Sequence, residues 1–221
     1  MGIYLDSAII EDIKEAKNYP FLDGVTTNPK LIAAALKNST VTEKEFLDHI
    51  VKIKDVVSKE IFVQTTFSET DMIISQAEKI HEVLGGQGII KIPATITGFQ
   101  SMKCLSEKNI RTAATAVYNP MQAYLAMNCG AEYIIPYFSR IQKNMVDGLE
   151  LVADIMEIIN NGVFDSKILV ASIKKPYDVL ELVRIGVWGV TIPIEMIGEL
   201  MVEPRALQAV NEFRNALKVT C

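Results

Sequence analysis

Short apolar runs with strand character alternate along the chain with longer segments whose apolar residues recur at intervals of three and four. The strand-like runs are Ile3 to Leu5, Gly24 to Thr26, Ile61 to Thr65, Ile89 to Ile92, Arg111 to Ala116, Tyr133 to Pro136, Ile168 to Ala171 and Val187 to Ile192. Between them, Phe46, Leu47, Ile50, Val51 and Ile53 trace one helical face, and Leu149, Val152, Ile155, Met156 and Ile159 another. Such alternation predicts parallel strands joined by crossover helices.

The punctuation agrees. Thr97 with Gln100 and Ser68 with Asp71 read as helix-starting boxes, and Asn119-Pro120 places a capping amide before a first-turn proline. Gly85-Gly86, Cys129-Gly130, Asn161-Gly162 and Ile185-Gly186 close helical patterns where a left-handed residue is wanted. No G-x-G-x-x-G follows the first strand and no phosphate-binding G-x-x-x-x-G-K-[ST] occurs, so the usual nucleotide-binding reasons for an open sheet are missing. Eight strand–helix units in 221 residues therefore predict an α/β fold: a (β/α)8 TIM barrel in one domain, residues 1-221. Ile194 to Met201 and Arg205 to Lys218 read as two helices after the last strand, one more than closure needs. The stretch 204-221 is thus a C-terminal extension suited to packing on a neighbouring subunit.

Composition narrows the function classes. Apolar residues make up 49% and the net charge is −5, so neither nucleic acid nor an anionic membrane is an expected partner. No apolar run approaches the roughly 18 residues that a membrane helix needs, and Met1 to Asp6 do not form a signal sequence. Cys104, Cys129 and Cys221 are odd in number and widely spaced, which predicts free thiols and a cytoplasmic location. Asn38-Ser39-Thr40 then reads as a loop.

In such a barrel the chemistry sits where strands end. Asp6, Thr26 to Asn28, Gln64, Lys91, Thr115, Tyr137 and Ser172 end successive runs and converge on one mouth. Lys91 stands apart, because alternation within Ile89-Ile90-Lys91-Ile92-Pro93 points it towards the barrel axis. Burial there disfavours the ammonium and leaves an amine able to attack a carbonyl. A lysine snorkelling to solvent or clamping a phosphate fits the same local context. His49 and His81 fall on helical segments among charged neighbours and read as surface residues, which argues against a metal site or a Ser-His-Asp triad.

The motifs Ile3-Tyr4-Leu5-Asp6, Val25-Thr26-Thr27-Asn28-Pro29, Lys91-Ile92-Pro93, Thr115-Ala116-Val117-Tyr118 and Ala171-Ser172 together resemble the small transaldolases and fructose-6-phosphate aldolases over nearly the whole chain. The resemblance implies Lys91 as a Schiff-base residue, no cofactor, sugar phosphates as partners and a homo-oligomer, a decamer of two pentamers. It implies Asp6 as the acid/base or orienting carboxylate. Gln64, Thr115 and Tyr137 would hold a proton-transferring water. Thr26 and Asn28 would line the donor site, and Arg140 and Ser172, with Lys174, would bind phosphate.

The resemblance favours the aldolase branch, which cleaves fructose 6-phosphate to dihydroxyacetone and glyceraldehyde 3-phosphate. Family transaldolases usually carry glutamate and phenylalanine at the positions of Gln64 and Tyr137. A transaldolase moving dihydroxyacetone between sugar phosphates in the pentose phosphate pathway is the alternative, and a non-catalytic phosphosugar-binding barrel a remote one. Tyr118-Asn119-Pro120-Met121 and Gln142 depart from the aldolase pattern beside the expected pocket. These departures predict altered acceptor or phosphate preference.

Overall fold

A computed structural model describes residues 1–162 and 164–217. Eight parallel strands pair in chain order: β1 (Gly2–Asp6), β2 (Leu22–Thr26), β3 (Glu60–Gln64), β4 (Gly88–Pro93), β5 (Thr112–Val117), β6 (Tyr133–Pro136), β7 (Lys167–Val170) and β8 (Gly189–Ile192). β8 returns to pair with β1, so the barrel is closed. All eight expected strands are present; β6 matches at both ends, and elsewhere no end is displaced by more than two residues. Thr65 falls beyond β3, Arg111 precedes β5, and Val187 and Trp188 precede β8.

Around the barrel run α1 (Ile10–Ala16), α2 (Pro29–Leu36), α3 (Glu43–Val56), α4 (Thr70–Leu84), α5 (Ile96–Glu107), α6 (Pro120–Asn128), α7 (Phe138–Lys143), α8 (Gly148–Asn161), α9 (Pro176–Ile185), α10 (Ile194–Met201) and α11 (Pro204–Ala216). Asn119 caps α6 as expected, accepting from Gln122 N at 2.8 Å ahead of Pro120. Three expected boundaries are corrected. α5 is capped by Thr95 rather than Thr97, accepting from Gly98 N at 3.2 Å, because the chain enters the helix just after β4; Gln100 instead accepts from Thr70 Oγ1. α4 begins at Thr70 with no side-chain cap, since Gln76 reaches back to hold Thr66 N at 2.7 Å and Ser68 lies outside the helix. Gly162 ends α8 with φ −96°, not in the left-handed region. Lys218 and Cys221 lie outside the described residues.

The core has two shells. Ile61, Val63, Ile90, Ile92, Ile134 and Val170 face outward into the helices, while Tyr4, Phe62, Ile89, Ala113, Tyr133, Ile135 and Leu169 fill the barrel interior. Tyr4, Phe62, Tyr133 and Trp188 meet edge-on or tilted, with ring centres 4.9–5.6 Å apart. Below them, where the strands begin, Arg111 pairs with Glu60 at 2.6 Å and Glu132 at 2.7 Å, and both tyrosine hydroxyls donate to Glu60. Rings and ion pairs thus close the N-terminal end of the barrel.

The expected surface position of His49 is corrected. It is 5% exposed on α3, with Nε2 2.8 Å from the carbonyl of Ala8, so it anchors the loop after β1. His81 is half-buried on α4. α11 has no buried residue, and Leu207, Val210 and Phe213 are all more than half or half exposed along it. No helix among the described residues is long and apolar enough to cross a membrane.

Gly24 pairs with Tyr4 on one side and Glu60 on the other, where an added Cβ would collide with the Glu60 carbonyl oxygen and the Tyr4 ring. Both partners belong to the packed floor, so little can shift. Gly24→Ala is expected to lower stability by about 1–3 kcal/mol, read as the shift in urea midpoint. A midpoint equal to that of the parent would show the floor to be looser than described.

Candidate active site

The site is built on the C-terminal ends of the strands, and its centre is Lys91. Ile89 and Lys91 share the inward phase of β4, while Ile90 and Ile92 face the helices. Lys91 is 2% exposed, and its Nζ donates to the backbone carbonyl of Thr27 at 2.7 Å. Burial pulls its pKa down to about 8, although the nearby Asp6 charge acts in the opposite direction. About one molecule in ten then holds a neutral amine at pH 7. An amine so placed can attack a carbonyl.

A chain of hydroxyls positions Asp6. The only proton of Thr26 Oγ1 goes to Asp6 Oδ1 at 2.9 Å, so the 2.6 Å contact between Thr26 and Thr191 must be donated by Thr191. All three groups point inward at the ends of β1, β2 and β8. A search for polar residues that end each run passes over Thr191, because Ile192 follows it in the last strand. Its position in Val190-Thr191-Ile192, flanked by outward-facing residues, is the signal that would have found it.

Gln64 lies beside Lys91 in the β3–β4 register. Its Oε1 is buried with no hydrogen-bond partner among the described residues, so it presents an acceptor to whatever enters the mouth. Across the barrel, Thr115 Oγ1 donates to the Tyr137 hydroxyl at 3.0 Å. An extra residue in β5 between Ala114 and Val117, with Ala116 at φ +55°, shifts the strand's phase there. Thr115 faces inward and Val117 outward as a result, where simple alternation would place both inside.

Tyr137 follows β6 and bridges to Ala171 after β7, and Ser139 N donates to the carbonyl of Ser172 at 3.0 Å. Ser172 has φ +62°, a left-handed conformation costly for a non-glycine residue. The two loops are therefore locked together. Burial raises the Tyr137 pKa, while the Thr115 hydrogen bond and the Arg140 charge oppose the rise. The Arg140 guanidinium stacks over the Tyr137 ring at 4.6 Å, and the Tyr118 ring stands edge-on at 6.0 Å.

The remaining expected residues are placed less centrally. Asn28 is half-buried and uses Oδ1 to cap α2, accepting from Leu31 N at 3.1 Å, which leaves its amide nitrogen for other partners. Lys174 is exposed on the loop before α9, and Gln142 is exposed on α7. Two further residues support the mouth. Thr27 supplies the carbonyl that holds Lys91, and Gln122 ties Tyr118 N to the carbonyl of Ala94, joining the loops after β4 and β5.

Displacement of the Lys91 pKa from 10.5 to about 8 corresponds to about 3 kcal/mol opposing the buried charge. The folded pKa lies below the unfolded one, so that cost is full below pH 8 and fades as pH rises towards 10.5. Lys91→Met is expected to stabilise the fold at pH 7 by about 1–3 kcal/mol, with the advantage shrinking by pH 10. Denaturation at both pH values checks this, and an equal advantage at each would assign the effect to something other than charge burial.

The sequence matches the family described as Transaldolase/Fructose-6-phosphate aldolase over residues 3–220. A probable transaldolase of Chlorobium phaeovibrioides is 36% identical over 214 residues, covering 96% of each chain. One of Syntrophobacter fumaroxidans is 34% identical, covering 96% of this chain and 95% of its own. Another, of Thermoplasma volcanium, is 36% identical, covering 96% and 93%. A match of this extent, on a closed eight-stranded barrel, places the chain in the transaldolase/fructose-6-phosphate aldolase family.

Proposed function

We propose that this enzyme is a transaldolase, moving a three-carbon dihydroxyacetone unit from a ketose phosphate to an aldose phosphate through a Schiff base on Lys91. The observation that carries the proposal is the buried amine of Lys91, 2% exposed and 2.7 Å from a single carbonyl. Relatives named probable transaldolase support the transfer reading.

Neutral Lys91 attacks C2 of the ketose, and loss of water leaves a protonated imine. Its remaining N–H faces the Thr27 carbonyl, an acceptor already in position. Asp6, held by the Thr26–Thr191 chain, takes the C4 hydroxyl proton. The C3–C4 bond then breaks, its electron pair flows into the imine, and an aldose phosphate leaves. The enamine that stays behind attacks the carbonyl carbon of the incoming aldose phosphate. Arg140, Ser172 and Lys174 hold the phosphate ends, the arginine through its forked edge. A homo-oligomer belongs to the same reading, supported by the exposed apolar side chains of α11.

A second reading is favoured by one observation. The Tyr137 hydroxyl, fixed by Thr115 at 3.0 Å, is a proton donor that an unsubstituted ring would lack. Protonation of the enamine, followed by attack of water on the resulting imine and return of the Lys91 amine, would release dihydroxyacetone, and the enzyme would then act as a fructose-6-phosphate aldolase.

Incubation with fructose 6-phosphate and borohydride is expected to add a reduced adduct at Lys91, located by peptide mass. Lys91→Met should abolish both adduct and carbon–carbon cleavage, and a variant cleaving at the parent rate would end the proposal. Glyceraldehyde 3-phosphate release should depend on added erythrose 4-phosphate. Release that is equally fast without an acceptor would transfer the assignment to the aldolase. Tyr137→Phe is expected to slow acceptor-independent release by roughly tenfold or more while sparing transfer.

A further inference from the structure

Arg140 occupies the position three residues after Tyr137 on α7, and its guanidinium carbon lies 4.6 Å from the ring centre. The residue is exposed, and no carboxylate pairs with it among the described residues. Three groups lie against Tyr137: the Thr115 hydroxyl from β5, the Tyr118 ring from the loop after β5 and the Arg140 cation from α7; the Asp6 carboxylate from β1 acts on the phenol through its charge. Asp6 disfavours loss of the phenolic proton, and Arg140 favours it. A guanidinium can stack by its face on a ring and bind a phosphate by its edge at the same time. The charge felt by Tyr137 therefore depends on what that edge holds.

We propose that Arg140 links occupancy of the phosphate position at the barrel mouth to proton transfer by Tyr137. With the edge free, the guanidinium charge stabilises the developing phenolate and promotes protonation of the enamine. A bound phosphate neutralises that charge and suppresses protonation. In the step concerned, the phenol's proton, directly or through one water, forms a new C–H bond with the enamine carbon. The enamine π pair supplies the bond, nitrogen becomes a protonated imine, and solvent returns a proton to the phenolate. An aldose phosphate in place thus protects the enamine for carbon–carbon bond formation, and its departure exposes the enamine to protonation. Arg140 is on this account a positioning residue that sets the balance between transfer and release. The inference rests on the Schiff-base reading of Lys91.

The test is hydrogen–deuterium exchange at the hydroxymethyl carbons of dihydroxyacetone in D2O, followed by NMR, with inorganic phosphate titrated at constant ionic strength. This exchange requires the enamine to form and be reprotonated, and it uses no acceptor. A cation stacked at an exposed site is worth a small factor, so saturating phosphate is expected to slow exchange about threefold. In Arg140→Met, which keeps an apolar cover over the ring, basal exchange should fall by a similar factor and phosphate should have no effect. A merely structural role for Arg140 would not make exchange respond to phosphate in the parent enzyme. Exchange indifferent to phosphate, with a borohydride adduct of dihydroxyacetone still formed on Lys91, overturns the linkage and leaves the Schiff-base reading standing. Absence of any adduct overturns that reading itself.

Discussion

The removal of one lysine amine from water is the constraint on which the site depends. Lys91 lies inside a barrel whose lower half is filled by Tyr4, Phe62, Tyr133 and Trp188 and whose end is closed by the Arg111 ion pairs. With packed rings beneath it, the amine has the Thr27 carbonyl as its partner, and burial outweighs the attraction of Asp6. An open or leaky barrel would hydrate the ammonium and restore an ordinary lysine. The aromatic packing at one end of the molecule is therefore part of what lowers the pKa of the amine at the other end.

The two ends of the barrel are both rich in polar groups, and they differ in how those groups are satisfied. At the strand beginnings, the charged groups Glu60, Arg111, Glu132 and Lys167 pair among themselves and with the tyrosine hydroxyls. At the mouth, Gln64 Oε1 has no partner among the described residues and Arg140 has no carboxylate. Mutual pairing suits groups that stabilise, because an unpaired buried polar atom costs free energy. At the concave end, the Gln64 acceptor beside Lys91 is left to meet something that is not protein.

The strands and Lys91 were legible because inward and outward residues alternate so regularly that one charged residue on the inward phase stands out. The groups holding the lysine and its carboxylate were harder to read. Thr27 acts through its backbone carbonyl, which no side-chain pattern encodes, and Thr191 acts through Thr26 from a strand on the far side of the sequence. The bulge at Thr115–Ala116 breaks alternation locally, so the outward turn of Val117 follows from a backbone irregularity rather than from residue type. His49 was misread for a related reason: its sequence neighbours are charged, yet its own position on α3 faces the barrel and the Ala8 carbonyl. Helix starts were misplaced where a competing long-range bond, such as Gln76 to Thr66, claimed the loop.

On the proposed reading, transfer and release share every step up to the enamine, so the distinction between them is a kinetic one at a single carbon. An aldehyde and a proton compete for the same electron pair, and each tenfold bias needs only about 1.4 kcal/mol of difference between two barriers. A phenol held by Thr115, flanked by Tyr118 and covered by Arg140 is well placed to supply a bias of that size, because its orientation is set before the enamine forms. A fold that determines the nucleophile so completely can leave the product to a few side chains on two loops. Close relatives within one family can therefore share a lysine and a barrel while differing in which of the two competing reactions they complete.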